Sequence, residues 1–284
     1  MIQNIKSVLK RSPLIVRLWN SRGRSVNLAK TLKIRTKNVR FRVQNKLQGG
    51  MPLPPPRLIF LVAGSEDLDW FLKSGALSAS SMQDILKKNN LALENFESVL
   101  DFGCGVGRVI RYWHKMEGPV LFGTDYNPDW IAWCRRNLAF AHFQVNRLAG
   151  KLEYEDEKFD FIYALSVFTH LKEPQQFFWI NELSRVLKPG GYLFITVHGE
   201  RYYLPHLLSE DQERFIRGEL VVYGGEQEGS NVCAAFHPDV YIRQKMAKDL
   251  LVVDHVPEGA LGNPYQDVYL LRKPIPQAVP NNIA

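Results

Sequence analysis

The stretch Val99-Leu100-Asp101-Phe102-Gly103-Cys104-Gly105-Val106-Gly107 decides the fold. A short apolar run from Ser98 ends in a carboxylate, Asp101, and three glycines follow at alternate positions. The run reads as a buried strand, and Val106 to Lys115 reads as the helix after it. Glycines at such a junction turn the chain tightly and let backbone come close to a ligand. The N-terminus of the following helix would offer free N–H groups to a carboxylate or phosphate. The dinucleotide fingerprint G-x-G-x-x-G does not fit, because Arg108 stands where its third glycine belongs. A carboxylate at Asp101 would repel a pyrophosphate, yet it suits a ligand with an ammonium group.

Outward from this loop the pattern alternates between strand and helix. Val120 to Asp125 is predicted as a strand and Pro128 to Phe140 as a helix. Phe143 to Val145 and Phe159 to Val167 are strands, Pro174 to Leu187 a helix, and Tyr192 to Val197 a further strand. Leu250 to His255 and Val268 to Leu271 read as a closing hairpin. This order predicts an α/β, Rossmann-like, doubly wound and mostly parallel sheet with a C-terminal antiparallel hairpin. Asp125 ends the second strand, where a carboxylate can accept hydrogen bonds from both hydroxyls of a ribose. The plainer alternative is that Asp125 caps the helix starting at Pro128.

Residues 98–198 resemble the class I methyltransferases that use S-adenosylmethionine. The resemblance rests on four segments in order: D-F-G-C-G-V-G at 101–107, G-T-D at 123–125, F-D-F-I-Y-A-L-S-V-F-T-H-L at 159–171 and L-K-P-G-G at 187–191. It implies S-adenosyl-L-methionine as cofactor. It implies that Asp101 and the backbone of Gly103, Cys104, Gly105 and Gly107 hold the methionine end, that Asp125 holds the ribose, and that Tyr126 lies against the adenine. Asn146 and Arg147 would lie at the adenine edge, where many members carry an acid. Backbone around Ala164 and Leu165 would close the methionine end.

Methyl transfer to a hydroxyl needs a base to take the proton. His170, just past the fourth strand, is the first candidate, with an ordinary pKa near 6.5 that suits the task. The bland reading is a hydrogen bond to a neighbouring loop. Ser166 and Glu173 are weaker candidates, and His198 and His237 are second choices. Residues 199–249 interrupt the core with Arg201, Tyr202, Tyr203, His206, Tyr223, Phe236, His237 and Tyr241, and are expected to form an acceptor lid or a small packed subdomain. Amino methylation of DNA bases is disfavoured, since Ala164-Leu165-Ser166-Val167 stands where an Asn/Asp-Pro-Pro-Tyr/Phe loop would be needed. Asn263-Pro264-Tyr265 reads as a turn. No His/Cys cluster suggests a metal.

The chain has 284 residues and a net charge of +7, unevenly placed. Residues 1–65 hold fourteen Lys or Arg and no acid, and the remainder holds 22 basic and 29 acidic residues. Residues 1–48 read as a basic amphipathic extension, with Ile2, Ile5, Leu14, Leu18 and Trp19 on helical faces opposite the charges. Residues 49–64 read as a proline-rich linker and 65–284 as the methyltransferase domain, with two helices over 65–73 and 80–89. No segment reaches the roughly 20 apolar residues of a membrane span, and three cysteines without pairing pattern suit a cytoplasmic compartment. The expected activity is methyl transfer to a small-molecule, glycan or lipid-linked acceptor, more often on oxygen. The extension suggests peripheral contact with an anionic membrane at its inner face. An RNA methyltransferase using the basic arm and a non-catalytic cofactor-binding regulator are the alternatives.

Overall fold

The computed structural model describes residues 24–47, 50–63, 65–263 and 266–276, which fall in two compact units, 1–70 and 71–284. The helices expected between Ile2 and Trp19, and Pro264-Tyr265 of the expected turn, lie outside the described residues. The first unit carries helix α1 (Arg24–Leu47) and helix α2 (Pro56–Ala63). Proline at the first position of α2 costs no hydrogen bond, because that N–H has no helical partner. The proline-rich stretch therefore gives way to helix from Pro56 onward.

Helix α3 (Leu68–Lys88) is continuous where the sequence suggests two helices. The expected break falls around Gly75. That glycine is a packing residue, since a Cβ there would sit 2.3 Å from the Arg108 carbonyl oxygen. It lets the turn after the first strand pack directly on the helix backbone.

The larger unit is built on a seven-stranded sheet in the order β3-β2-β1-β4-β5-β9-β8. Its strands are β1 (Ser98–Phe102), β2 (Val120–Asp125), β3 (His142–Val145), β4 (Phe159–Ala164), β5 (Leu187–Val197), β8 (Leu251–Val256) and β9 (Asp267–Arg272). Strands β1 to β5 are parallel, and β9 enters antiparallel between β5 and β8. Strand β1 is buried along its whole length, as a central strand covered on both faces must be. Helices α4 (Pro128–Asn137) and α5 (Glu173–Val186) supply covering layers. Trp179, Leu183 and Val186 of α5 join Leu100, Phe102, Ile162 and Ile195 of the sheet in the main core. Between β5 and β8, α6 (Ser209–Ile216) precedes a small hairpin, β6 (Val221–Tyr223) and β7 (Ala234–Phe236). Leu207, Phe215, Val221 and Phe236 give this insertion its own apolar cluster.

Two expectations are corrected beside the site. No α-helix covers Val106 to Lys115; the chain makes successive turns and one 3₁₀ helix, Ile110–Trp113. Gly103, Gly105 and Gly107 all have left-handed φ (76°, 55° and 70°), so α geometry cannot begin before Arg108. Strand β4 ends at Ala164 and not at Val167, because Ser166 takes a left-handed φ of 60° that breaks the ladder.

Candidate active site

The glycine loop is laced to the end of β2. The N–H groups of Gly103 and Cys104 both donate to the Thr124 carbonyl, at 2.8 and 3.0 Å. A Cβ at Gly103 would lie 2.4 Å from Val167 Cγ2, which brings the loop against the segment after β4. Asp125 closes the arrangement: Oδ2 accepts from the Gly105 N–H at 2.9 Å and Oδ1 from the Asn127 N–H at 3.0 Å. The cap of α4 is the side chain of Asn127, which accepts from the N–H groups of Asp129 and Trp130, so Asp125 is not the capping residue.

Asp101 and Asp125 stand on neighbouring strands and both are buried. Burial pushes Asp101 up to about 7, against a hydrogen bond from the Tyr163 hydroxyl and the nearby Arg108 guanidinium. Burial pushes Asp125 up to about 6, against the backbone N–H groups it accepts. Two carboxylates desolvated in one place are costly as anions. A cationic ligand would offset that cost, so the donor set fits a molecule carrying an ammonium and a sulfonium beside a ribose.

Around them the structure places the other expected residues. Tyr126 donates its hydroxyl to the Gly229 carbonyl at 3.0 Å, and its ring meets Trp130 edge-on. The Asn146 N–H donates to the Asp125 carbonyl at 3.0 Å, and its side chain accepts from Thr124 and donates to the Arg147 carbonyl. Arg147 is exposed, Ala164 is buried at the end of β4, and Leu165 follows it into the turn.

His170 sits in the short 3₁₀ turn Phe168–His170. Its Nδ1 lies 2.7 Å from the Cys233 carbonyl, which can only accept. The proton therefore belongs on Nδ1, and Nε2 carries the lone pair a base needs. Burial pulls the His170 pKa below its ordinary value, keeping the ring neutral at pH 7. His198 Nδ1 lies 3.1 Å from the Ala235 carbonyl, and burial and the His170 charge pull its pKa down to about 4. His237 donates its backbone N–H to the His198 carbonyl at 2.8 Å, is 1% exposed, and is pulled by burial down to about 3. The fold thus gathers the three candidate histidines at one place. Ser166 precedes the turn that carries His170, with its hydroxyl 3.0 Å from Thr169 Oγ1. Among the described residues no group of three or more His, Cys, Asp or Glu is placed to hold a metal ion.

The insertion reaches this turn directly. The Gly229 N–H donates to the His170 carbonyl at 2.8 Å, and Glu228 accepts the Lys172 N–H at 2.6 Å. One loop thus bridges Tyr126, just after β2, and His170, just after β4.

Sequence reasoning misses the residues that hold the turn after β4. Gln266 donates to Ser166 Oγ at 2.8 Å and accepts from Thr196 Oγ1 at 2.7 Å, and Thr196 Oγ1 accepts the Ser166 N–H at 2.7 Å. Asn263 extends the network, accepting from Arg108 at 2.5 Å, and Arg108 in turn neighbours Asp101. Tyr163 also escapes notice, although a tyrosine within the buried run Phe161–Ala164 is a legible signal; it pairs in register with Asp101. Gln266→Leu leaves the hydroxyls of Ser166 and Thr196 short of partners. It is expected to lower stability by about 1–3 kcal/mol, read as a lower urea midpoint with an unchanged slope.

The parallel sheet, the glycine loop after β1 and the antiparallel β9 define a Rossmann-like α/β protein. Residues 100–195 match the family model described as a methyltransferase domain, which supports a class I methyltransferase with S-adenosylmethionine as its cofactor. The fatty-acid O-methyltransferase of Mycolicibacterium smegmatis is 36% identical over 110 residues, 38% of this chain and 39% of that protein. The mitochondrial ubiquinone biosynthesis O-methyltransferase of Dictyostelium discoideum is 29% identical over 137 residues, 43% and 42% of the two chains. This chain thus spans about two fifths of those relatives. Among solved structures, an S-adenosylmethionine-dependent methyltransferase of Mesorhizobium loti is similar at a TM-score of 0.52 and 15% identity, over 69% of this chain and all of that one. A Pyrococcus horikoshii protein gives 0.52 at 19% identity, over 68% and 88%. These likenesses carry the fold.

Proposed function

We propose that the protein transfers a methyl group from S-adenosylmethionine to a small-molecule, glycan or lipid-linked acceptor, on oxygen, with His170 as the base. The observation that carries this reading is the pair of buried carboxylates, Asp101 and Asp125, on either side of the glycine loop. When bound, the cofactor supplies an activated methyl on a sulfonium. Asp101 would face its ammonium, the Gly103–Gly107 backbone would hold its methionine end, and Asp125 would receive the ribose hydroxyls. Tyr126 and Asn146 would border the adenine.

On the acceptor side, the Cys233 carbonyl fixes the His170 ring so that Nε2 is the acceptor of a hydroxyl proton. A neutral ring at pH 7 is ready to take it. Residues 228–233 hold the turn in place through Glu228, Gly229 and Cys233, which contact Lys172 and His170. The names of the Mycolicibacterium and Dictyostelium relatives support oxygen as the methylated atom. Peripheral contact of the N-terminal segment with an anionic membrane belongs to the same reading and suits a lipid-linked acceptor.

Isothermal titration with S-adenosylmethionine and with its demethylated product tests the cofactor site. A methyl-transfer screen on extracts, using radiolabelled methyl, then tests the chemistry. Binding without transfer to any acceptor class favours a non-catalytic regulator, and labelled RNA favours an RNA enzyme.

A further inference from the structure

Helix α1 has two unlike faces. Ile34, Asn38, Phe41 and Asn45 recur at helical spacing and turn inward within the first unit. Asn38 donates to the Glu66 carbonyl at 2.6 Å and accepts from the Leu68 N–H at 3.2 Å, and Asn45 donates to the Met51 carbonyl at 3.0 Å. These bonds fix which way the helix faces. On the opposite side lie Leu32, Val39, Val43 and Leu47, exposed by 56, 61, 55 and 82%. At about 100° per residue these four fall in one stripe along the helix. Lys33 and Arg40 flank it on one edge, and Arg35 and Lys46 on the other.

The helix carries eight Lys or Arg and no acid. Arg35 and Lys37 reach Glu66 and Asp69, at 3.0 and 3.1 Å, yet their side chains stay 60% and 50% exposed. An apolar stripe between two cationic edges narrows the choice of partner. A second copy of the helix would set cations against cations where a coiled coil needs opposite charges. A nucleic acid would satisfy the cations but give four apolar side chains nothing to bury against. A bilayer with anionic headgroups satisfies both at once, because the stripe enters the acyl boundary while the flanking cations stay among the phosphates. No described helix is long and apolar enough to cross a membrane, so α1 would lie along the surface.

We infer that the Leu32–Val39–Val43–Leu47 face of α1 is a docking surface for an anionic lipid bilayer. The inference rests on the peripheral-membrane reading for the class of partner, and it assigns the contact to named residues outside the catalytic core. Full-length protein is sedimented with vesicles of phosphatidylcholine alone and with vesicles containing phosphatidylglycerol. Wild type is expected to sediment only with the anionic vesicles, and less as salt rises. Val39→Gln with Val43→Gln should weaken the partition by roughly tenfold or more. Arg40→Gln with Lys46→Gln should weaken it at low salt and flatten the salt dependence. Cofactor affinity, titrated on the same preparations, should match wild type and so reports that the variants are folded. Stripe variants that sediment like wild type would overturn the assignment to α1 while leaving a membrane contact elsewhere. Wild type that sediments with neither vesicle would overturn both, as would a dimer or an RNA complex abolished by the stripe substitutions. Methyl transfer is measured separately and stands or falls without affecting these outcomes.

Discussion

His170→Ala is expected to lower turnover by roughly 10²–10⁴-fold, the usual worth of a positioned base, while cofactor affinity stays near wild type. The Cys233 carbonyl at 2.7 Å dictates the tautomer and leaves Nε2 as the acceptor. Burial keeps the ring neutral, so activity should hold through neutral pH and fall only where the lowered His170 pKa is reached. Steady-state kinetics across pH, beside calorimetric titration of the cofactor, checks both statements. Turnover near wild type in the variant would move the base to His198 or His237, or remove the need for one.

Asp125→Ala is expected to weaken cofactor binding by at least about tenfold, or 1.4 kcal/mol, as loss of a charge-assisted pair implies. Unchanged affinity would end the ribose assignment. The pH dependence follows from the two acids together. Their folded pKa values are raised to about 7 and about 6, above the ordinary carboxylate range. A raised acid favours the folded protein fully at low pH, and that contribution is lost as pH rises toward the folded pKa. A cationic ligand prefers the carboxylate form, so affinity for the cofactor should climb as pH rises through 6 to 7 and level off above. Asp101→Asn should remove the upper part of that climb. The buried histidines work oppositely on the free protein: with His198 and His237 held at about 4 and 3, acid below about 6.5 protonates the unfolded chain first and destabilises the fold.

The sheet was legible because its signals are local. An apolar run of four or five residues, a glycine loop and a strand-ending acid are each read within a few positions. Val120–Asp125 appears with the expected bounds, and the closing hairpin lies where Leu250 to His255 and Val268 to Leu271 placed it. The segment after the glycines was less legible. Its apolar content suits a helix, but three left-handed glycines within five residues delay any helical start, and a 3₁₀ turn results. Gly75 shows the converse. Taken alone it suggests a helix break, yet it serves close packing against the Arg108 carbonyl.

By itself the sequence determined the α/β class, the succession of strands along the chain, the acids at 101 and 125, and the uneven spread of charge along the chain. Each depends on residue type at short spacing, which survives without knowledge of the fold. Only the tertiary structure decided how these parts act together. The His170 tautomer is set by a carbonyl 63 residues away, the turn after β4 by Gln266 100 residues away, and the Asp101 environment by a tyrosine on the neighbouring strand. Hydrogen-bond partners and desolvation are properties of proximity in space, and a sequence pattern carries no distance between elements that meet only when the chain has folded.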